Sequence, residues 1–572
     1  STSVVLISIF IPVVFLKGDT AKLFEELAVT IIGAIFFSTI ISLTLTPMLC
    51  SKILEVKSHK ESSFIRDKYI SLLKFIISKK IIVSFFVVAT FALSIYLFKF
   101  LSKELSPRED RGAFFLVIES PEGSTYENTV EQMLLLEEKL LYLNKNKEAK
   151  RILLRVPRSF SGTENFSDGI GIIVLNHWDQ RRKIWEIIDE IKVKSKEIID
   201  SKIIIFPPRG LGQRRSGSQL QFVISGDTYS EIDSNMNIIL GELNNSKDFL
   251  FVRTDYKKSR PQLKILINKK RAYDLEVSNS EIGRTLEILL AGRKINSFID
   301  KGEEYYVILQ AKKEFRKSLE NILSYEVKNK KGDLVRLENV LNIEETAEAK
   351  ELNRYNKMRS ITLSAGLNKN YSLGEGINYL ENLSKNKLKG NYKIDFRGQS
   401  KEFKESSNQF YFLFIISLLF VYLVLCAQFE SFRYPFIIMI SVPLTLLIPI
   451  ICLIIFENSL NIFSQIGIII LMGIAAKNGI LIVEFARQLK NQGENSSRSI
   501  IESCKKRFRP VVMTGISTIV GVIPLVIGSG AGYESRLTIG IVLISGIFFS
   551  IFLTLFITPF FYSLIDKEVN ES

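Results

Sequence analysis

The amino-acid sequence predicts a membrane protein: an α-helical transmembrane bundle of about eight spans with a large outer domain of the α+β class. Three observations predict it. Long apolar runs cluster at the two ends of the 572 residues, and a charged, lysine-rich stretch of about 300 residues separates them. Mean hydropathy is +0.18 although 24% of residues are charged, so the average hides two populations. The opening of the chain also recurs near its end. Ile11-Pro12 returns as Ile523-Pro524, Gly18 as Gly530, Ile35-Phe36-Phe37-Ser38 as Ile547-Phe548-Phe549-Ser550 and Thr46-Pro47 as Thr558-Pro559, all at an offset of 512. Two apolar hairpins built to one template are the mark of a duplicated membrane protein.

The runs at 1–16, 26–49, 81–101, 409–427, 435–456, 462–485, 510–529 and 536–564 are each near or above spanning length, the first being short. On the 512 offset Ser1 matches Met513, inside an apolar segment and past its basic flank. The first span is therefore expected to be truncated, with about 430 residues of counterpart sequence ahead of it, which makes this the C-terminal half of a larger protein. No basic flank or small-residue cleavage site marks a signal peptide.

Charge placement orients the spans. Residues 50–80 carry eight Lys or Arg and 487–509 carry seven, whereas the loops 457–461 and 528–535 carry none. The positive-inside rule puts the two basic segments and the C-terminus in the cytoplasm, and the bare loops and the long charged stretch outside. The net charge of +15 is otherwise scattered among Glu and Asp in the outer stretch, the pattern of a solvated surface rather than of a nucleic-acid face. Residues 62–80 space apolar side chains helically among basic ones, which predicts a helix on the cytoplasmic membrane surface.

The outer stretch alternates short β-rich runs with amphipathic helices. Strands are expected at 114–119, 171–175, 203–206, 219–224, 263–267, 305–310, 334–336, 361–365 and 393–397, with helices at 126–143, 184–200, 229–243, 280–290 and 372–385. The order predicts several small modules of split β-α-β topology, with a boundary at the Pro/Gly/Arg-rich segment 207–218. The four cysteines, Cys50, Cys426, Cys452 and Cys504, lie in or beside spans, so no disulfide framework is expected outside. His59 and His177 are isolated, and no Cys/His cluster has metal-ligand spacing. No metal or cofactor is expected.

The residue types that carry chemistry lie in the membrane. Lys477 sits in GIAAKNGILIVEF, deep within the 462–485 span. An intramembrane lysine costs about 2.5–3.5 kcal/mol on insertion scales, so it belongs on the bundle interior opposite an anion. Gly473, Ala475, Ala476 and Gly479 around it admit a close neighbour. Glu430, Glu457 and Glu484 sit toward span ends, so the partner carboxylate is expected in the upstream counterpart of this span. Thr514 lies just inside the next span, where its hydroxyl either serves a proton path or bonds back to its own helix. Arg507 and Arg509 precede Pro510; cytoplasmic anchoring accounts for Arg509, and Arg507 is a candidate for the mouth of a proton path.

GIAAKNGILIVEFA (473–486), RFRPVVMTG (507–515), VIPLVIGSGAG (522–532) and LTPMLCS (45–51) resemble the resistance–nodulation–division transporters, in the hydrophobe/amphiphile efflux branch of AcrB type. LSPREDRGAFFLVIESPEGST (105–125) and INSFIDKGEEYYV (295–307) extend the likeness over essentially the whole chain. The resemblance implies a homotrimeric proton/drug antiporter in a Gram-negative inner membrane, with a large periplasmic domain, a periplasmic adaptor and an outer-membrane channel. Its substrates would be small amphiphiles, its only cofactor the proton gradient, and its medium the lipid bilayer, with no role for nucleic acid. Lys477, Thr514 and Arg507 match relay positions; the acidic members of that relay belong to a span this chain does not include.

By the same resemblance, residues 1–49 form a truncated hairpin, 50–80 the cytoplasmic helix and 81–105 a span. Residues 106–218 form one porter module, 219–261 with 361–405 a second, 262–360 an inserted docking module, and 406–572 five spans. Segment 158–169 matches a switch loop, with Phe160 and Phe166 as its aromatic residues, and Glu119, Phe206 and Arg253 fall at other pocket-lining positions. Arg209, Arg214 and Arg215 make the following segment basic and predict a preference for anionic or zwitterionic amphiphiles. The alternative is a half-subunit that does not transport and instead assembles with or scaffolds complete pumps. An enzyme is not indicated: no Ser-His-Asp set or phosphate loop is present, and GSGAGY (528–533) lies in an outer loop rather than between a strand and a helix.

Overall fold

The computed structural model describes residues 2–15, 19–53, 63–158, 166–208, 218–258, 260–349 and 351–566. The chain divides into two compact units, Ser1–Asp255 with Asn353–Ser572, and Tyr256–Leu352.

The larger unit opens with apolar helices: α1 (Thr2–Phe10), α2 (Asp19–Leu43) and α3 (Leu45–Ile53). A 3-10 turn over Ile11–Phe15 follows α1, where Pro12 lacks the N–H that a continuing helix would use. The amphipathic α4 (Ser63–Ser78) and the apolar α5 (Lys80–Phe98) come next. Hydroxyls in these helices bond back to their own backbone, as Thr39 to Ile35 O at 2.7 Å and Thr90 to Phe86 O at 2.7 Å, which satisfies them without water. In α4 the buried Tyr69 donates to Leu555 O at 2.8 Å and stacks on Phe508, while Phe64, Ile65, Leu72 and Phe75 stay exposed.

The first α+β module runs β1 (Ala113–Glu119), α6 (Tyr126–Lys145), β2 (Ala149–Arg155), β3 (Asp168–Leu175), α7 (Ile184–Ser195) and β4 (Lys202–Phe206). Its antiparallel sheet has the order β2-β3-β1-β4, so β1 is central, with Leu116 opposite Gly171 on one side and Ile205 on the other. Leu136 and Leu140 of α6 and Ile187 and Ile191 of α7 bury against Leu116, Ile118 and Ile173. This is the split β-α-β topology expected from the sequence. The expected helix 184–200 ends earlier: α7 stops at Ser195, and Ile198 turns back to cover the core outside the helix.

The second module starts with β5 (Leu220–Gly226), α8 (Tyr229–Asn245) and β6 (Phe249–Thr254). The separate unit then follows, with β7 (Arg260–Ile267), α9 (Lys269–Asp274), α10 (Asn279–Leu286), β8 (Arg293–Asp300), β9 (Glu303–Leu309), α11 (Leu319–Leu323), β10 (Glu326–Lys328), β11 (Leu334–Arg336) and β12 (Leu341–Glu348). In it β7 pairs with β12 and β10 with β11 around a core of Ile282, Val327, Leu337 and Val340, while β8 pairs with β9 in an exposed hairpin. The helix expected at 280–290 is α10 followed by a π-helical turn, Glu287–Ala291.

The second module resumes with β13 (Arg354–Tyr355), β14 (Met358–Leu367), α12 (Leu373–Lys387) and β15 (Tyr392–Phe396). Its sheet is β13-β14-β5-β15, with β6 also on β14. A capping box of Ser372 and Glu375 starts α12.

The chain returns to apolar helices in α13 (Gln399–Phe429), α14 (Arg433–Leu444), α15 (Leu447–Ile455), α16 (Ile462–Asn491), α17 (Ser496–Ile527) and α18 (Tyr533–Ile565). Among the described residues seven helical stretches are long and apolar enough to cross a membrane: Ala21–Ile53, Lys80–Phe98, Gln399–Phe429, Arg433–Ile455, Ile462–Asn491, Ser496–Ile527 and Tyr533–Ile565, with a shorter one at Thr2–Val14. The most enclosed is α16, with 78% of its apolar window buried.

The first module joins the bundle through residues 109–112. The Asp110 carboxylate accepts two hydrogen bonds from Arg181, at 2.7 and 2.8 Å, and others from the N–H of Gly112 and Ile184. Its neighbour Glu109 bonds the Ser535 hydroxyl on α18, and the Asp110 N–H donates to Glu534 at 3.3 Å. Burial alone would raise the Asp110 carboxyl, but Arg181 and the two N–H groups hold it below its ordinary value. That stabilisation is full above the unfolded carboxylate value near pH 3.9 and is lost as pH falls through the lower folded one. Asp110→Asn is therefore expected to cost about 3–5 kcal/mol at neutral pH, because it strands a nearly inaccessible Arg181. Denaturation of wild type and variant at pH 7 and pH 3 checks this: the gap between them should shrink in acid.

Candidate functional site

Two places concentrate chemically distinctive side chains. The first is a cavity of about 550 Å³ between the two modules of the larger unit. The first module contributes Trp185, Ile188 and Lys192 of α7 and the end of β4 at Phe206. Pro207 and Pro208 follow Phe206 and, lacking N–H groups, close the ladder there. The second module contributes Leu250, Phe251 and Arg253 of β6, residues 366–369 after the core of β14, and Leu373. A Cβ at Gly366 would overlap the Phe251 ring, so glycine is what lets that ring lie on the strand, where the register also shifts.

The lining is mostly apolar but also carries Arg108, Lys192, Arg253 and Lys369 and the acidic Glu104, Glu109 and Asp189. Burial pushes the Glu104 carboxyl up, against the opposing pull of Arg108. Side chains reach from one module to the other. Arg108 donates to Asn368 O at 3.0 Å, and Arg253 forms an ion pair with Glu119, the last residue of β1. Glu119 stands opposite Asp168 on β3. The nearby Arg158 is held below the usual guanidinium range, first by burial and then by Arg253, with Asp168 and Glu119 opposing.

Of the residues singled out from the sequence, Phe206 and Arg253 line the cavity and Glu119 holds Arg253. Phe206 also sits 5.7 Å from the Phe115 ring. Phe166 is not among the lining residues; it is 42% exposed and meets Tyr126 edge-on at 6.0 Å. Phe160, Arg209, Arg214 and Arg215 lie outside the described residues. Sequence reasoning missed Trp185, Phe251 and Arg108. Trp185 reads as one more apolar position on an amphipathic helix, and the other two carry no local signal.

The second place is α16. Lys477 is half-buried at its middle and, among the described residues, makes no hydrogen bond or ion pair. Gly473, one turn earlier on the same face, is met by Leu6 and Ile9 of α1, and Gly479 by Ile438 of α14. On α17, the exposed Thr514 donates to Val511 O at 3.1 Å, the back-bonded alternative of the two weighed above. The Arg507 guanidinium lies 4.8 Å from the Phe485 ring of α16, and its buried Nε has no partner among the described residues. No hydrogen bond among the described residues links Lys477, Thr514 and Arg507. The Glu484 carboxylate, two turns beyond Lys477, accepts from Gln488.

A bundle of apolar helices with a half-buried lysine at the middle of one of them, in one chain with paired α+β modules around a cleft, is the build of a multi-pass membrane protein. The chain belongs to the AcrB/AcrD/AcrF family, whose model matches residues 1–566. It is 29% identical over 588 residues to an uncharacterized transporter of Haemophilus influenzae, covering 99% of this chain and 56% of the relative. It is 28% identical over 600 residues to the toluene efflux pump membrane transporter TtgB of Pseudomonas putida, again covering 99% and 56%. With the multidrug resistance protein MdtF of Escherichia coli the figures are 28% over 594 residues, 99% and 56%. The chain thus spans about half the length of the curated relatives it matches.

The packing around Lys477 is testable. A Cβ at Gly479 would sit 3.1 Å from the branched Ile438 side chain, whereas one at Gly521 of α17 would meet nothing within 4 Å. Gly479→Leu is expected to lower stability by about 1–3 kcal/mol and Gly521→Leu to leave it nearly unchanged, as read from thermal unfolding of the purified protein.

Proposed function

We propose that the protein works in proton-driven efflux of hydrophobic and amphiphilic compounds, as part of the inner-membrane subunit of a tripartite pump. The observation that carries this reading is the cleft, a mostly apolar cavity large enough for a small amphiphile with charged residues of both signs in its lining, in the same unit as an intramembrane lysine. The printed names of its relatives, a toluene efflux pump and a multidrug resistance protein, support it. On this reading the subunit is a homotrimer that meets a periplasmic adaptor and an outer-membrane channel, and the separate unit Tyr256–Leu352 serves docking.

In the proposed cycle the Lys477 ammonium attracts an ionised carboxylate supplied from outside the described residues. Protonation of that carboxylate removes the attraction, and deprotonation restores it. Arg507, toward the cytoplasmic end of α17, keeps the proton exit polar, and Thr514 exchanges its backbone acceptor for water when the path is wet. Helix movement reaches the cleft through Glu109 and Asp110, which are tied to the start of α18.

Lys477→Met in the complete transporter tests the cycle. Resistance and drug-driven proton movement in membrane vesicles should fall to the level of vesicles without the pump. Abundance should hold or rise, because removing the charge relieves an insertion cost of about 2.5–3.5 kcal/mol. Undiminished efflux by this variant would sink the reading.

A further inference from the structure

We propose that Glu119 is a charge-selecting latch on the cleft: its carboxylate masks Arg253, and an amphiphile with an anionic head displaces it, taking the guanidinium and freeing one sheet from the other. The inference rests on the reading of the cleft as an amphiphile site and deepens it to a ligand class.

Topology is the first ground. Glu119 ends the central strand of the four-stranded sheet and Arg253 lies on β6 of the five-stranded sheet, so this pair ties two separate modules across the cleft. Accessibility is the second. The Glu119 side chain is 19% exposed and that of Arg253 is 23% exposed, so each keeps an edge in water and the carboxylate can swing out and re-solvate. A dry ion pair could not exchange partners in this way.

The third ground is the surroundings of Arg253. Its guanidinium lies 5.7 Å from the Phe251 ring, and both residues line the cavity. A cation beside an aromatic wall matches a ligand with an apolar body and an anionic head. Charge balance is the fourth. Arg158 interacts electrostatically with Arg253 and with the carboxylates of Asp168 and Glu119, and Glu119 also pairs with Arg253. If Glu119 leaves, Arg253 loses its carboxylate while Arg158 still repels it; an incoming sulfonate or carboxylate replaces the lost charge, whereas a cation does not. The latch therefore yields to anions and resists cations.

Isothermal titration of the purified chain with 2-naphthalenesulfonate and its neutral counterpart 2-naphthalenemethanol tests this. Glu119→Gln is expected to bind the sulfonate about tenfold more tightly than wild type, since competition from one charge-assisted hydrogen bond is gone, with the neutral ligand unchanged. Arg253→Met should erase the preference for the sulfonate with or without Glu119→Gln. In the unaltered protein, saturating sulfonate should speed amide hydrogen exchange in β6, and the neutral ligand should not. This last measurement needs no variant, and unchanged exchange in β6 would overturn the latch. If Glu119→Gln binds both ligands as wild type does, the latch is wrong and the amphiphile cleft stands. If neither ligand binds wild type or variants, the cleft reading falls and takes the latch with it.

Discussion

Close approach of three helices to α16 is the constraint on which the rest of the membrane part depends. Gly467, Gly473 and Gly479 recur every six residues, and each is met by a different neighbour: Val542 of α18, Leu6 and Ile9 of α1, and Ile438 of α14. In a membrane the hydrophobic effect does not draw helices together, so van der Waals contact at small residues has to. A helix held on three sides has little freedom to turn. That is the condition under which a lysine at its middle keeps one orientation rather than reaching for the interface.

The same helix bundle fixes the cleft at a distance. α18 packs along α16 and begins at Glu534 and Ser535, which bond residues 109 and 110 of the first module. Asp110 in turn orders the start of α7 through Arg181 and the Ile184 N–H, and α7 carries Trp185 and Ile188 into the cavity wall. A continuous series of packed and hydrogen-bonded groups therefore runs from the lysine helix to the cleft. The second module is not rooted in that series through β6; its β6 edge meets the first module at the Glu119–Arg253 pair.

What the sequence made legible follows from the length scale of each signal. Spanning runs are long and apolar, so α13 to α18 could be read as spans. Polar first turns hid where α13 and α17 begin, at Gln399 and Ser496 rather than near 409 and 510, and the run 435–456 is broken into α14 and α15. The β-α-β order could be read because buried strands such as β1 and β14 are short apolar runs between amphipathic helices. β8 escaped because it is exposed along its length and its charged and polar residues break the apolar pattern, and β2 because Lys150 and Arg151 interrupt a short edge strand. β6 escaped because FLFVRT is a short run with no glycine or proline directly after it to set it off as a strand. The cleft was legible only through family likeness at Glu119, Phe206 and Arg253. Nothing local joins Glu119 to a residue 134 positions away, and neither Phe251 nor Arg108 differs in type from ordinary surface or strand residues.

The two charged places in the molecule handle the cost of desolvation in opposite ways. In the cleft, opposite charges come from the described chain itself and stay partly wet, so the pair is cheap to open and suited to exchange. On α16 a single ammonium lies in an apolar, closely packed helix face, where an unpaired charge is expensive and pairing cannot be casual. In the function proposed for this protein, selectivity rests with the first place and energy coupling with the second. The Asp110 junction between them needs to do neither, and its saturated hydrogen bonding, with four donors on one carboxylate, is what a rigid coupling element requires.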